Sequence, residues 1–377
     1  MNRGIDSVYS GVRELIRQWR LNKHYRAGNI AREFCEKNAV PQLTKDEIER
    51  IDDYWKQFGI RFRDYSFHRM YYSVTGKRDP RFIPDPLAGL VIYPYYNDMG
   101  RVKAYADKNL FPSFLPDVCF PRTYAQRINT HYYDSDHRYY GTELSDAFIN
   151  RVFQEIRSNH ASDIIIKETT DTNTGKGVKK HTVHTSDDLK KALTSSNSIN
   201  FIVQECVRQH AFFQQFNSDS VNIIRLNTWR TDNEITVFAP CIRFGIPGSA
   251  TDVNYVDGKE IVQCVGIHDG RAADHYFTLD GDRKPLHILD RDIPRWDEVL
   301  KTVKNAHLEM DYFGIIGWDV IVDSHEHVIC IEYNLKWPGT VVYQFAHGPF
   351  AGEKTDEYLG FLRDPAMQKL LPPCIRL

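Results

Sequence analysis

Two apolar runs in GIIGWDVIVDSHEHVICIEYN, residues 314–334, are parted only by the polar stretch Ser324–His327. β-Branched residues at this density on either side of a short polar turn read as an antiparallel hairpin. Its paired strands carry Asp319 and Glu332, which can project from one sheet face, and Asn334 lies two residues past Glu332 on that same face. Two carboxylates and one amide oxygen make a hard, incomplete oxygen shell, of the kind that suits Mg²⁺ completed by water and phosphate oxygens. Taken singly, each is equally at home on a solvated acidic hairpin face. His325 and His327 fall on the turn, point in alternate directions and lack further ligands nearby, so they read as turn residues and no zinc site is expected.

Upstream, helix and strand signals alternate in two blocks. In LTKDEIERIDDYWKQFG, Thr44 and Glu47 form a capping box, Ile48, Ile51, Trp55 and Phe58 make the apolar face, and Gly59 stops the helix. Residues 60–125 are irregular and aromatic, with prolines at 80, 84, 86, 94, 112, 116 and 121 limiting long regular elements. A helix over Leu144–Ile156 leads to the strand DIIIK ending at Lys167, and a strand follows around Val178–Val183. A helix near Asp187–Leu193 precedes the strand FIVQECV; strands in SVNIIRLNTWR, EITVFAPCIRFG and EIVQCVGIHDG then lead to a helix from Pro294 to about Met310. This pattern predicts an α+β protein with two lobes and a cleft. The expected boundaries are an N-terminal helical and irregular region over 1–105, a first lobe over 106–206, a second over 207–363 and a tail over 364–377.

Forty-eight basic and fifty acidic side chains nearly cancel, which leaves no broad field to draw the chain onto nucleic acid. Seven cysteines without a C-x-x-C pair suit free thiols in a reducing compartment, so a cytoplasmic location is expected. No run is apolar enough for a signal peptide or a membrane span. Val8, Val12, Leu15, Ile16 and Trp19 recur at helical spacing with arginines opposite, a pattern compatible with membrane-surface contact through residues 8–20. Packing on the protein's own body is the commoner fate of such a helix.

In IIKETTDTNTGKGV, Lys167 closes an apolar strand, and Thr174, Gly175, Lys176 and Gly177 form a loop whose amides can cover phosphates. It is no Walker A loop, since Thr170 replaces the first glycine and Gly177 the Ser or Thr after the lysine. A plain hairpin turn explains the loop alone, just as an edge position explains Glu205 and a surface cation Arg225.

The order of these elements, with FIVQECVRQH and SVNIIRLNTWR between loop and hairpin and KWPG after it, resembles the ATP-grasp superfamily. RQHAFFQQFNSDSVNIIR and the upstream DKNLFPSFLPDVCFPRTY are similar in particular to its sugar-transfer-associated family, whose members commonly accompany glycosyltransferases. The likeness runs from about residue 60 to 360 and implies ATP and Mg²⁺ as cofactors. By it, Lys167 holds nucleotide phosphates, Thr174 to Gly177 form the lid, and Gln204, Glu205 and Val207 lie on the hinge strand at the adenine edge. His210 and Asn222 join the nucleotide-binding set, Arg225 contacts the transferring phosphate or a substrate oxyanion, and Asp319, Glu332 and Asn334 hold the metal. The usual second phosphate-binding lysine is not evident, and Lys108, Arg122 and Arg127 all stand as candidates.

The resemblance implies a carboxylate–amine ligase that forms an acylphosphate and releases ADP, acting on a small molecule or glycan precursor, with glycosyltransferases as pathway partners. A kinase acting on a sugar hydroxyl and a non-catalytic glycosyltransferase partner are the alternatives. Tyr255–Arg271, with turns at Asp257-Gly258 and His268-Asp269-Gly270, is the candidate segment for substrate selection.

Overall fold

The computed structural model describes residues 30–169, 177–249, 251–369, 371 and 375. The N-terminal amphipathic stretch and Thr174–Lys176 therefore lie outside the described residues. The chain divides into two compact units: one comprises the described residues through Tyr96, 277–284 and those from Gly339 onward, the other Asn97–Tyr276 and Pro285–Pro338.

Helices build the first unit. In Lys45–Lys56 the Thr44 hydroxyl accepts from the Glu47 amide at 3.2 Å and the Glu47 carboxylate accepts from the Thr44 amide at 2.8 Å, so the capping box forms as expected. Ile51, Trp55 and Phe58 are buried, and Gly59 adopts φ +67, where a side chain would be strained. The helix Ser66–Thr75 fits into the chain ahead of the first proline of the aromatic stretch. Its Tyr71 stacks on Phe82 with centroids 4.8 Å apart. Gln344, fully buried on Val341–His347, donates to the Ile83 carbonyl at 2.8 Å and accepts from the Ile83 amide at 2.9 Å.

The second unit holds a five-stranded antiparallel sheet and most of a nine-stranded one. The smaller takes β1 (Thr123–Ile128), β2 (His131–Asp134), β3 (Asp163–Glu168), β4 (Lys179–Thr182) and β5 (Phe201–Glu205) in the order β2-β1-β5-β3-β4. The helices Asp146–Ser158 and Ser186–Thr194 pack on it, through Phe148, Val152, Ile156 and Leu189 against Ile164, Ile166, Phe201 and Val203. Ser145 caps the first helix, and Thr185 with Asp188 makes a capping box on the second.

The larger sheet takes β6 (Ile223–Arg230), β7 (Ile235–Phe244), β8 (Val253–Val256), β9 (Lys259–His268), β10 (Arg271–Ala272), β11 (His275–Thr278), β12 (Arg283–Pro285), β13 (Ile315–Val322) and β14 (Val328–Asn334). Its main path is β12-β11-β9-β7-β6-β13-β14, with β8 and β10 paired to β9. The turns expected at Asp257-Gly258 and Asp269-Gly270 both close two-residue connections with φ positive at both positions, as primed hairpin turns require. Helix Trp296–Leu308 covers one face, and its buried His307 bridges the Thr228 hydroxyl at 2.7 Å and the Phe313 carbonyl at 2.8 Å. The expected hairpin is β13 and β14; the Asp323 carboxylate accepts from the amides of His325 and His327, both at 2.8 Å, which fixes the turn.

Candidate functional site

Side-chain alternation and strand register bring a row of charges onto one face of the larger sheet. Asp319 on β13 lies opposite Glu332 on β14 and opposite Arg225 on β6, with a bulge after Asp319 in its pairing with β14. Ile223 pairs with Arg243 and Arg225 with Cys241, so the two arginines share a face at diagonal positions. The Arg225 guanidinium grips Asp319 with two prongs: Nε donates to Oδ1 and Nη2 to Oδ2, the latter at 2.7 Å. Its Nη1 donates to the Pro338 carbonyl at 2.9 Å. A side chain at Gly317 would meet Pro338 Cβ at 2.9 Å and Asn227 Oδ1 at 3.1 Å, so glycine permits the Trp337-Pro338 segment to lie against β13 within reach of Arg225.

Asn334 donates through Nδ2 to Asp319 Oδ2 at 3.2 Å. Arg243 Nη2 lies 3.9 Å from Asp319 Oδ1 and 2.5 Å from Asp252 Oδ2. Burial alone would raise the Asp319 pKa, but the charges of Arg225 and Arg243 prevail and hold it below the usual carboxylate range. Asp319 and Arg225 are 6% and 5% exposed, so this pair has been taken almost wholly out of water.

The smaller sheet supplies the opposing charge. Lys167 near the end of β3 is buried, and its ammonium reaches the Ile331 carbonyl of β14 at 3.5 Å. Burial, with the like charge of Lys108 adding to it and Glu332 opposing, pushes its pKa down to about 8. Lys108 is buried too, and its Nζ stands 3.4 Å from Glu332 Oε1. The Lys108 amide donates to the Thr169 carbonyl at 3.2 Å, Phe111 stacks on Tyr333 at 4.1 Å, and the Tyr333 hydroxyl donates to the Tyr105 carbonyl at 2.7 Å. These contacts hang the Lys108 segment on β14. The other basic candidates are elsewhere: Arg122 is exposed, and Arg127 lies over the Tyr132 ring and donates to the Ser198 carbonyl at 2.9 Å.

Of the remaining expected residues, Gln204 is buried on β5; its Nε2 donates to the Pro121 carbonyl and the Thr123 hydroxyl, while its Oε1 meets no donor among the described residues. Glu205 accepts from the Arg122 amide at 2.8 Å, and Val207 packs against Ile223, Ile321 and Ile329. His210 accepts the Phe212 amide through Nδ1 at 3.1 Å, capping the turn Ala211–Gln214. Asn222, fully buried, donates to the carbonyls of Phe213 and Asn217 and accepts from Ser220, so its amide is spent within the fold. Gly177 has φ +82, and a side chain there would meet Glu168 Cγ at 3.2 Å. Arg243 and Asp252 escaped the sequence reading. The sole signal was that Arg243 and Cys241, two positions apart, share one face of a strand, and only the register with β6 turns that face toward Asp319.

The sequence matches the family model described as sugar-transfer associated ATP-grasp over residues 92–356, which is most of the chain, and the protein belongs to that family. No curated protein matches it by sequence. Among solved structures, it is similar to the carboxyaminoimidazole ribonucleotide synthase of Aspergillus clavatus complexed with ATP, at 10% identity and TM-score 0.36, over 61% of this chain and 44% of that one. It is also similar to the D-alanyl-alanine synthetase A of Vibrio cholerae, at 11% identity and TM-score 0.41, over 76% of this chain and 67% of that one. The D-alanine-D-alanine ligase of Coxiella burnetii gives 10% identity and TM-score 0.37, over 70% and 58% of the two chains. The chain thus spans under half the length of the Aspergillus enzyme.

Proposed function

We propose that this protein is an ATP- and Mg²⁺-dependent ligase that joins a carboxylate to an amine through an acylphosphate, releasing ADP. The observation that carries this reading is the convergence of two buried lysines, Lys167 and Lys108, on the β14 edge that bears Glu332. Two buried ammonium groups beside a carboxylate are poorly matched to one another and well matched to a polyphosphate. Gln204 Oε1, a buried acceptor with no donor among the described residues, suits the amino group of adenine.

The donor set fits a divalent cation. Asp319, Glu332 and Asn334 supply only hard oxygen atoms and adjoin one another, and the Glu332 side chain is 29% exposed, open to an arriving ion. Bound there, Mg²⁺ would neutralise charge on a transferring phosphoryl group. Lys167 and Lys108 hold the phosphates, and Gln204 to Val207 border the base. The phosphate-covering role is assigned to Thr174, Gly175, Lys176 and Gly177, of which only Gly177 is among the described residues, and Arg225 orients the oxyanion of the acid. His210 and Asn222, which cap and brace the fold, drop out of the nucleotide contacts. Such chemistry needs positioning rather than a protein nucleophile.

The family's description as sugar-transfer associated supports a sugar-linked substrate, which we take to be a glycan precursor or a sugar acid, with an amino acid as the other candidate and glycosyltransferases as the proposed pathway partners. Free thiols at all six described cysteines accord with action in the cytoplasm, and among the described residues no helix is long and apolar enough to cross a membrane. Incubation with Mg²⁺, ATP and a panel of such acids and amines tests the reading through ADP release and product mass. An amide product supports it. A phosphorylated hydroxyl replaces it with a kinase, and no turnover with bound nucleotide favours a non-catalytic partner.

A further inference from the structure

Asn227 stands two residues past Arg225 on the same face of β6. Its side chain is buried at 1% exposure, and neither Oδ1 nor Nδ2 meets a hydrogen-bond partner among the described residues. An unmet buried amide costs stability at each of its polar ends, so such a group calls for a use outside the fold. Asn222 shows the ordinary solution, with its amide bonded to Phe213, Asn217 and Ser220. The strands beside Asn227 are also irregular. Its partner on β13 is Gly317, which has no side chain, and its partner on β7 is Phe238, stacked on Trp229 at 5.6 Å. The β6–β7 register shifts between Arg225 and Asn227, where Ala239 adopts φ +43, a conformation that is costly for a residue with a side chain. Pro338 covers the amide on the β13 side: a Cβ at Gly317 would lie 2.9 Å from Pro338 Cβ and 3.1 Å from Asn227 Oδ1. Lys336 to Pro338 belong to no helix or strand, and Trp337 is exposed, so this cover lifts without breaking a regular element.

We propose that Asn227 is a hydroxyl-binding residue of the substrate site. With Pro338 moved aside, its carboxamide takes two vicinal hydroxyls of a sugar ring, Nδ2 donating to one and Oδ1 accepting from the other. A carboxamide presents a donor and an acceptor side by side, and a diol returns the complementary pair without bringing charge. This rests on the ligase reading above and narrows its substrate to a polyhydroxy acid of the uronic acid kind. Alternate positions on a strand are about 6.6 Å apart. That spacing lets a six-membered ring turn its carboxylate toward Arg225 and a pair of hydroxyls toward Asn227. An amino acid without hydroxyls leaves the amide unmet.

The test titrates the full chain with small acids by calorimetry, with Mg²⁺ and ADP present to fill the nucleotide site without turnover. In the wild-type protein, glucuronate or galacturonate should bind about tenfold or more tightly than cyclohexanecarboxylate, which keeps ring and charge but has no hydroxyls, and than glutamate. Asn227→Leu, close in volume and without polar atoms, should lose that preference and melt at a higher temperature than wild type, because the unmet amide is gone. An asparagine that only braces the fold gives the reverse, a lower melting temperature with the preference kept. Equal binding of hydroxylated and plain acids by the wild-type protein, or no binding of either uronic acid, would overturn the assignment. So would a preference that survives in Asn227→Leu, or a fall in that variant's melting temperature. The wild-type arm decides even if the variant does not fold. Nucleotide binding measured alongside separates the readings: ADP bound without a preference for uronic acids discards the hydroxyl assignment alone, and failure to bind nucleotide discards the ligase and this assignment with it.

Discussion

The two sheets of the second unit carry their charges in opposite states. On the smaller sheet Lys167 is buried, with its ammonium 3.5 Å from the Ile331 carbonyl and facing the opposed charges of Lys108 and Glu332, and its pKa is displaced downward. On the larger sheet Arg225 and Asp319 are buried already paired, and Arg243 is paired with Asp252. A charge held without a matched partner is ready for a ligand, whereas a paired one must first release its partner. The contrast predicts that variants on the two sides change different quantities: ligand affinity on the lysine side, stability and turnover on the hairpin side.

The largest effect is expected on the hairpin. Glu332→Gln keeps shape and hydrogen bonding but removes charge from the proposed cation site, so Mg²⁺-dependent ADP release should fall about a hundredfold or more. Its melting temperature should fall modestly, less than for loss of a wholly buried carboxylate, because Glu332 is partly exposed but lies 3.4 Å from the buried Lys108 ammonium. Asp319→Asn should lower turnover as severely and also cost about 3–5 kcal/mol of stability, since it removes the charge of the carboxylate that the buried Arg225 grips with two prongs. Turnover within twofold of wild type in both variants would return these carboxylates to a structural role.

A smaller effect on the other side sharpens the contrast. Lys167→Ala should weaken ATP about tenfold or more, as expected for loss of a buried cation facing phosphate, with the fold intact. Lys167→Met should match that loss while raising the melting temperature, because it removes an ammonium whose burial is costly. An unchanged ATP dissociation constant in either folded variant removes Lys167 from the site.

The smallest effect is one of pH. Under the proposed role Lys167 meets phosphate as the ammonium form, so ATP affinity in the wild type should decline a few-fold as pH rises through about 8, and Lys167→Ala should lack that decline. Stability runs the other way. The unfolded lysine keeps its proton to about 10.4, so between about 8 and that value the unfolded state holds more protons and rising pH favours folding at this residue. Melting curves of wild type and Lys167→Met across that window should therefore converge. Parallel curves would show that Lys167 titrates as an exposed lysine.

Local order was legible in the sequence. The capping box at Thr44 and Glu47, the two Asp-Gly turns and the β13–β14 hairpin all follow from signals within a few residues. Side-chain partnerships were not. Arg225 meets Asp319 across 94 positions, and Lys108 meets Glu332 only because Phe111 and Tyr333 stack and fasten the two segments. A lone strand shows which residues share its face but not which strand will lie beside it, so Arg243 and Asp252 had no partners to betray them. The hydrogen-bond partners of Asn222 were hidden for the same reason. Its neighbour at Ser220 and the carbonyls of Phe213 and Asn217 become its partners only after the turn Ala211–Gln214 has formed.

The central claim is that Lys167 of the smaller sheet, Lys108 and the hairpin of the larger sheet make one site for Mg²⁺ and ATP. Calorimetric titration of the full chain with ATP, once with Mg²⁺ and once with EDTA, tests it directly. Saturable binding that is tighter with Mg²⁺, accompanied by a matching rise in melting temperature, is the predicted result. Absence of any heat of binding at about millimolar ATP under both conditions would contradict the account.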